Sequence, residues 1–160
     1  MRGFQLFRND EKAMELPINI VVMLVVGMVA LATLISIIPT PTKEMSVFVK
    51  ETSGAGNIQL GNSIIVSSTV AEDPFVVSAT IKVTDKDGNP VRGANAVLRG
   101  LGGAASNTTD INGVTVLTTT GTALVQLDPN QNEGTMDLKI LADGFYDYER
   151  KDAVMIIKTR

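Results

Sequence analysis

The chain has no cysteine and no histidine. Without cysteine there is no thiolate nucleophile and no disulfide, and without histidine the commonest general base is missing. The usual zinc and haem ligand sets fall with them. An exported domain of this composition must hold itself together by packing alone. Aromatic residues make up only 4% of the chain, too few for the stacking platforms that bind single-stranded nucleic acid. Positive charge is scarce as well: 14 Lys and Arg against 17 Asp and Glu give a formal net charge of −3. Nucleic acid needs clustered Lys and Arg, so the balance argues against that partner. The expectation is a protein that is not an enzyme and takes no cofactor and no metal.

What is present is a long run without charge. Residues 18–38, INIVVMLVVGMVALATLISII, carry no ionisable side chain. At about 1.5 Å per residue the run would form a helix about 31 Å long, against about 30 Å for the hydrocarbon core of a bilayer. Its apolar residues lie all round the helix with no polar stripe, so every face needs apolar cover. The remaining chain is too small to bury it as a core helix. Membrane lipid or neighbouring copies of the chain must do so. Arg2, Arg8 and Lys12 precede the run, and Lys43 and Lys50 follow it. By the positive-inside rule the N-terminus is cytoplasmic and the rest lies at the extracellular surface of the cell membrane.

Three fates of the N-terminal segment fit this pattern. It stays attached as a signal anchor; it is cut by a signal peptidase after Ala30-Leu31-Ala32; or it is trimmed ahead of the apolar run. The second fate leaves Thr33–Ile38 as an apolar tail on a released protein, which disfavours it.

Residues 8–39, RNDEKAMELPINIVVMLVVGMVALATLISIIP, resemble the N-terminus of archaeal type IV pilins and related class III signal-peptide proteins. The resemblance implies a leader, residues 1–13, ending in Lys12-Ala13. A prepilin peptidase would remove it, leaving Met14 as the first mature residue. It further implies an apolar helix over 14–38 that forms a filament core, and a near-terminal acid, Glu15, that pairs with a neighbour's amino terminus. Glu15 falls closer to the mature start than the family's acid does. Gly27 with Ala30, and Ala32 with Ser36, offer small surfaces for helix–helix approach. The chain is then a homo-oligomer through its N-terminal helix.

Pro39-Thr40-Pro41-Thr42 ends the helix, because proline lacks the N–H that a helix needs and pushes its predecessor to extended geometry. Residues 39–44 form a short neck. Residues 45–160 follow as one domain in which the periodicity switches to two. Val77, Ala79, Ile81 and Val83 alternate with Ser78, Thr80, Lys82 and Thr84, the pattern of a strand with one buried face. Met136, Leu138, Ile140 and Ala142 repeat it. Shorter strands are expected at Ser46–Lys50, Ile64–Val70, Ala94–Arg99, Gly113–Thr118, Thr122–Leu127 and Ala153–Lys158. The fold class is an N-terminal membrane-inserting helix followed by an all-β sandwich.

The segments VTDKDGNPVRGANAVL at 83–98 and TTDINGVTVL at 108–117 resemble carboxypeptidase-regulatory-like and bacterial Ig-like sandwiches. Asp85, Gly88, Pro90, Val91, Gly93 and Ala94 match the first motif of those families, and Thr109, Asp110 and Gly113 match the second. Ala142-Asp143-Gly144-Phe145-Tyr146 resembles their closing strand edge. This resemblance implies an Ig-like or prealbumin-like fold and says little of chemistry.

The remaining polar clusters have plain readings. Asp85, Asp87, Asp110 and Asn112 are oxygen donors of the kind calcium takes, yet they occupy Gly-containing turns that need them anyway. Asn107-Thr108-Thr109 fits an N-glycosylation acceptor beside a loop expected at Gly100–Ser106. Asp147 and Glu149 stand in a charged surface segment. Tyr146 and Tyr148 are expected at the sandwich edge. Leu101–Ser106 lacks the Lys-Ser/Thr end of a phosphate loop, and Ser53–Gly56 reads as a turn. The favoured function is a structural subunit of a pilus-like filament serving surface attachment. The alternative is a monomeric anchored protein displaying an Ig-like binding domain.

Overall fold

The computed structural model describes residues 10–37 and 43–160, with side chains in the helix from Pro17 onward. Residues 1–9 of the leader and 39–42 of the 39–44 neck lie outside the described residues. The chain divides into a helical unit and a β unit, with the boundary after Thr40.

Helix α1 spans Asp10–Ile37. It starts ahead of the expected 14–38, and Ile38 lies outside the described residues. Pro17 therefore sits inside the helix rather than in its first turn. There it supplies no N–H to the carbonyl of Ala13 four residues earlier. Every residue from Pro17 to Ile37 is exposed. The span Pro17–Ile37 is long and apolar enough to cross a membrane.

The β unit is a sandwich of two sheets. Its elements are β1 (Met45–Gly54), β2 (Asn57–Leu60), β3 (Ser63–Ser67), the single helical turn α2 (Ser68–Ala71), β4 (Val77–Asp85), β5 (Asn95–Gly100), β6 (Gly103–Thr108), β7 (Val114–Thr118), β8 (Glu133–Leu141) and β9 (Tyr148–Thr159). One sheet runs β2-β1-β4-β7 and the other β3-β9-β8-β5-β6. All pairs are antiparallel except β3 with β9.

Period-two alternation places the core. Val77, Ala79, Ile81 and Val83 of β4 are fully buried, as are Met136 and Ile140 of β8. With Leu98, Leu117, Val154 and Ile156 they make one cluster between the sheets. Burying a side chain of this kind contributes about 1.5–3 kcal/mol, which lets a domain without disulfides stand on packing.

Several expected boundaries move. The strand expected at Ile64–Val70 ends at Ser67, and α2 follows. Thr122–Leu127 is no strand: of these residues only Val125 forms a bridge, with Phe75. The loop expected at Gly100–Ser106 is instead the β5–β6 hairpin, closed at Gly100↔Gly103. Leu101 takes a left-handed φ of 52° in its turn. Its side chain, half-buried against the core, lies where a Cβ on Gly134 would have to go. Strand β2 has no counterpart among the expected strands. The turn at Ser53–Gly56 holds, with Ala55 and Gly56 both left-handed between β1 and β2.

Candidate assembly surfaces

The helix offers the first surface. Between Pro17 and Ile37 it contains three polar side chains that lipid or a second helix would have to accommodate: the exposed Asn19 amide near the start, and two hydroxyls that are satisfied internally. Thr33 Oγ1 donates to the Ala30 carbonyl at 2.8 Å, and Ser36 Oγ donates to the Thr33 carbonyl at 2.8 Å. From Ile20 to Ile37 the surface the helix presents is thus effectively apolar, as an unhydrated environment demands. At about 100° per residue, Gly27 and Ala30 share one side, while Ala32 and Ser36 share another roughly opposite. A Cβ added at Gly27 would meet nothing, so the notch there is open. The backbone at Lys12, Ala13, Met14 and Glu15 is helical. Their side chains lie outside the described residues.

The rims of the sandwich are sealed. At one rim the Gln59 side chain of β2 reaches the edge strand β3. Its Nε2 donates to the Ile65 carbonyl at 3.0 Å, and its Oε1 accepts the Ile65 N–H at 3.1 Å. One amide thereby imitates a strand neighbour. At the opposite rim Asn107 Nδ2 of β6 donates to the Val116 carbonyl of β7 at 3.1 Å. Unpaired edges invite pairing with another chain, and both amides blunt that hazard.

Asn107 is therefore a rim residue of strand β6 and not part of a loop. Thr109, the hydroxyl residue of its acceptor triplet, is buried. Thr109 Oγ1 donates to the Val91 carbonyl at 2.6 Å and accepts the Ala94 N–H at 2.9 Å. Both polar ends of the triplet thus have structural partners in the folded domain.

The two acidic turns are copies of one device. Asp85 Oδ1 accepts the N–H groups of Asp87 and Asn89, both at 2.9 Å. Asp110 Oδ1 accepts those of Asn112 and Val114, both at 2.9 Å. The backbone bonds repeat as well: Gly88 N–H to Asp85 and Gly113 N–H to Asp110, each at 3.0 Å. The side-chain hydrogen bond from Asn89, with backbone bonds from Asn89 and Asp87, holds the Asp85 carboxyl below the usual range. Asp110 is held down chiefly by the Val114 N–H. Gly113 takes φ 70°, and a Cβ there would collide with the Val83 carbonyl, so the second turn needs glycine. Among the described residues no three carboxylates gather at one point.

The outer faces of the two sheets differ. On the five-stranded sheet the register sets Arg99 opposite Asp137 and Lys139 opposite Glu149. Asp147 pairs with Lys139 at 3.7 Å. This is a solvated face laced with opposite charges. Tyr148 packs against the core and Tyr146 is exposed.

The four-stranded face is mostly uncharged. Phe48 is 66% exposed on the inner strand β1, and Ile58 and Leu60 on β2 are 72% and 89% exposed. Hydroxyls fill much of the rest and find partners on the same face: Ser78 Oγ lies 2.8 Å from Thr118 Oγ1, and Thr80 Oγ1 donates to the Glu51 carboxylate at 3.2 Å. A shallow depression of about 340 Å³ opens between Glu51, Ser53, Ile58, Ser78, Thr80 and Val116. Neither this face nor Gln59 was legible in the sequence. The only signal was an aromatic, Phe48, set between two valines.

No protein-family model matches the chain, and no curated protein matches it.

Proposed function

We propose that the chain is a structural subunit of an archaeal type IV pilus-like surface filament, with α1 in a helical core and the sandwiches on the outside serving attachment. The observation that carries this reading is α1 itself. All of its faces from Ile20 to Ile37 are uncovered and apolar, and its two hydroxyls near the C-terminal end are internally bonded. A bundle of identical helices supplies that cover, and close packing rather than dehydration drives the exchange from lipid. Small residues on roughly opposite sides of α1 suit a helix that touches more than one neighbour.

Pro17 supports processing at Ala13. The carbonyl of Ala13 belongs to the bond a prepilin peptidase would cut, and Pro17 leaves it without its helical donor. The membrane-anchored display protein is the second reading. Lipid covers α1 equally well, and the uncharged sheet face favours a binding role. Replacement of Ala13 by Trp separates the two. The filament reading expects an uncleaved chain, retained in the membrane, and loss of sedimentable surface filaments. Filaments built from the uncleaved variant would make processing at Ala13 irrelevant, and an unchanged membrane protein without filaments in either form would defeat the filament reading and leave the anchor.

A further inference from the structure

We infer that the outer face of the β2-β1-β4-β7 sheet is a contact between two copies of the sandwich, related by a two-fold axis near Phe48. This contact adds to the helix-mediated assembly proposed above and does not depend on it. The whole chain carries −3, so copies repel in general. On this face the registered outward positions hold one acid and one base, Glu51 and Lys82, and Lys50 stands outside the register at the bulge between Val49 and Glu51. The face is locally balanced. Charge depletion with exposed aromatic and aliphatic side chains is the composition of an interface core, and the charge-laced opposite sheet serves as its internal contrast.

The register then selects the occupant. Phe48 pairs with Lys82 and Glu51 with Thr80, so the four form one quartet of adjacent strands. Glu51 and Lys82 are on one diagonal, and Phe48 and Thr80 are on the other. A partner must present a base over Glu51 and an acid over Lys82 at the same separation. A second copy turned about the Phe48–Thr80 diagonal does both at once, because a two-fold contact sets each residue against its symmetry mate's counterpart. The same rotation brings Phe48 onto Phe48, which removes the most anomalous exposed side chain of the face from water. Ile58 and Leu60 extend the apolar surface on one flank.

The chain has no cysteine, so a single introduced thiol reports its own contacts. The test uses the full chain in the membranes of the producing cell under mild oxidation. Phe48→Cys is compared with Arg99→Cys, which is exposed on the opposite sheet. Phe48→Cys should yield a disulfide-linked pair several-fold more than Arg99→Cys. Within the Phe48→Cys chain, Glu51→Lys or Lys82→Glu should lower the yield about two- to fivefold, and the double reversal should restore it. Equal yields for the two thiols, no recovery in the double reversal, or a Phe48→Cys disulfide to a different protein would each overturn the inference. Paired Phe48→Cys chains in cells without filaments would uphold it while removing the filament reading.

Discussion

Thr115 offers a sharp test of how the sandwich core is built. It points inward from β7 opposite Ile81, is 4% exposed, and its Oγ1 has no hydrogen-bond partner. An unbonded buried hydroxyl costs about 1–3 kcal/mol. Thr115→Val keeps the shape and replaces the hydroxyl with a methyl, so it should stabilise the domain by about 1–2 kcal/mol. That corresponds to a rise of roughly 5 °C in melting temperature for a domain of this size. The same substitution at two other buried threonines should have the opposite sign. Thr119 Oγ1 accepts the Val77 N–H at 2.9 Å, and Thr119→Val strands that donor. Thr109 loses two bonds and also strands the Ala94 N–H. Each should cost about 1–3 kcal/mol, Thr109→Val the more. Urea unfolding of the three full-length variants in one detergent, followed by tyrosine fluorescence, gives the midpoints directly. Destabilisation by Thr115→Val comparable to that of Thr119→Val would refute the reasoning, because it would mean the Thr115 hydroxyl is bonded.

Other outcomes follow from the same geometry. Ala55 sits at φ 50° ahead of Gly56 in the β1–β2 turn, so Ala55→Asn should raise stability by about 0.5–1 kcal/mol in the same unfolding assay. Asp85 and Asp110 have lowered pKa values in the folded chain, so their contribution is present above the ordinary value of 3.8 and is lost as pH falls through the folded value. Asp85→Asn with Asp110→Asn keeps both Oδ1 acceptors and should flatten the fall in melting temperature below pH 4; an unchanged acid limb would contradict this. Gln59→Ala should cost about 1 kcal/mol and leave the Ile65 edge unpaired, which light scattering would register as faster aggregation on warming.

The legible parts of the fold were those where one physical signal dominates. The uncharged run of α1 and the strict alternation in β4 and β8 needed no tertiary information. β2 and β6 were not legible for different reasons. β2 is four residues long and takes its place from the Ala55-Gly56 turn and from Gln59 bridging to β3. β6 reads Gly-Ala-Ala-Ser-Asn-Thr, a composition with weak strand preference that pairs because the hairpin brings it against β5. Conversely, Thr122–Leu127 has an alternating look, but the chain there crosses between sheets and only Val125 forms a bridge, with Phe75, itself outside the strands.

The candidate surfaces divide in the same way. The cover that α1 requires could be read from composition. The outward position of Phe48 could not, because it lies in the run Val47-Phe48-Val49 just ahead of the bulge at Lys50, where the alternation slips. In the sequence Asn107 reads as an acceptor beside a loop because its neighbours are small and polar. Its actual partner is a carbonyl on β7, brought close only by the folding of both sheets.

The most direct test of the assembly account is the intact mass and N-terminal sequence of the protein taken from its own cell envelope. A filament subunit starts at Met14, with residues 1–13 removed and α1 retained. A start at Met1 would contradict it and leave an anchored display protein, and a start at Thr33 would contradict both readings by removing most of the helix.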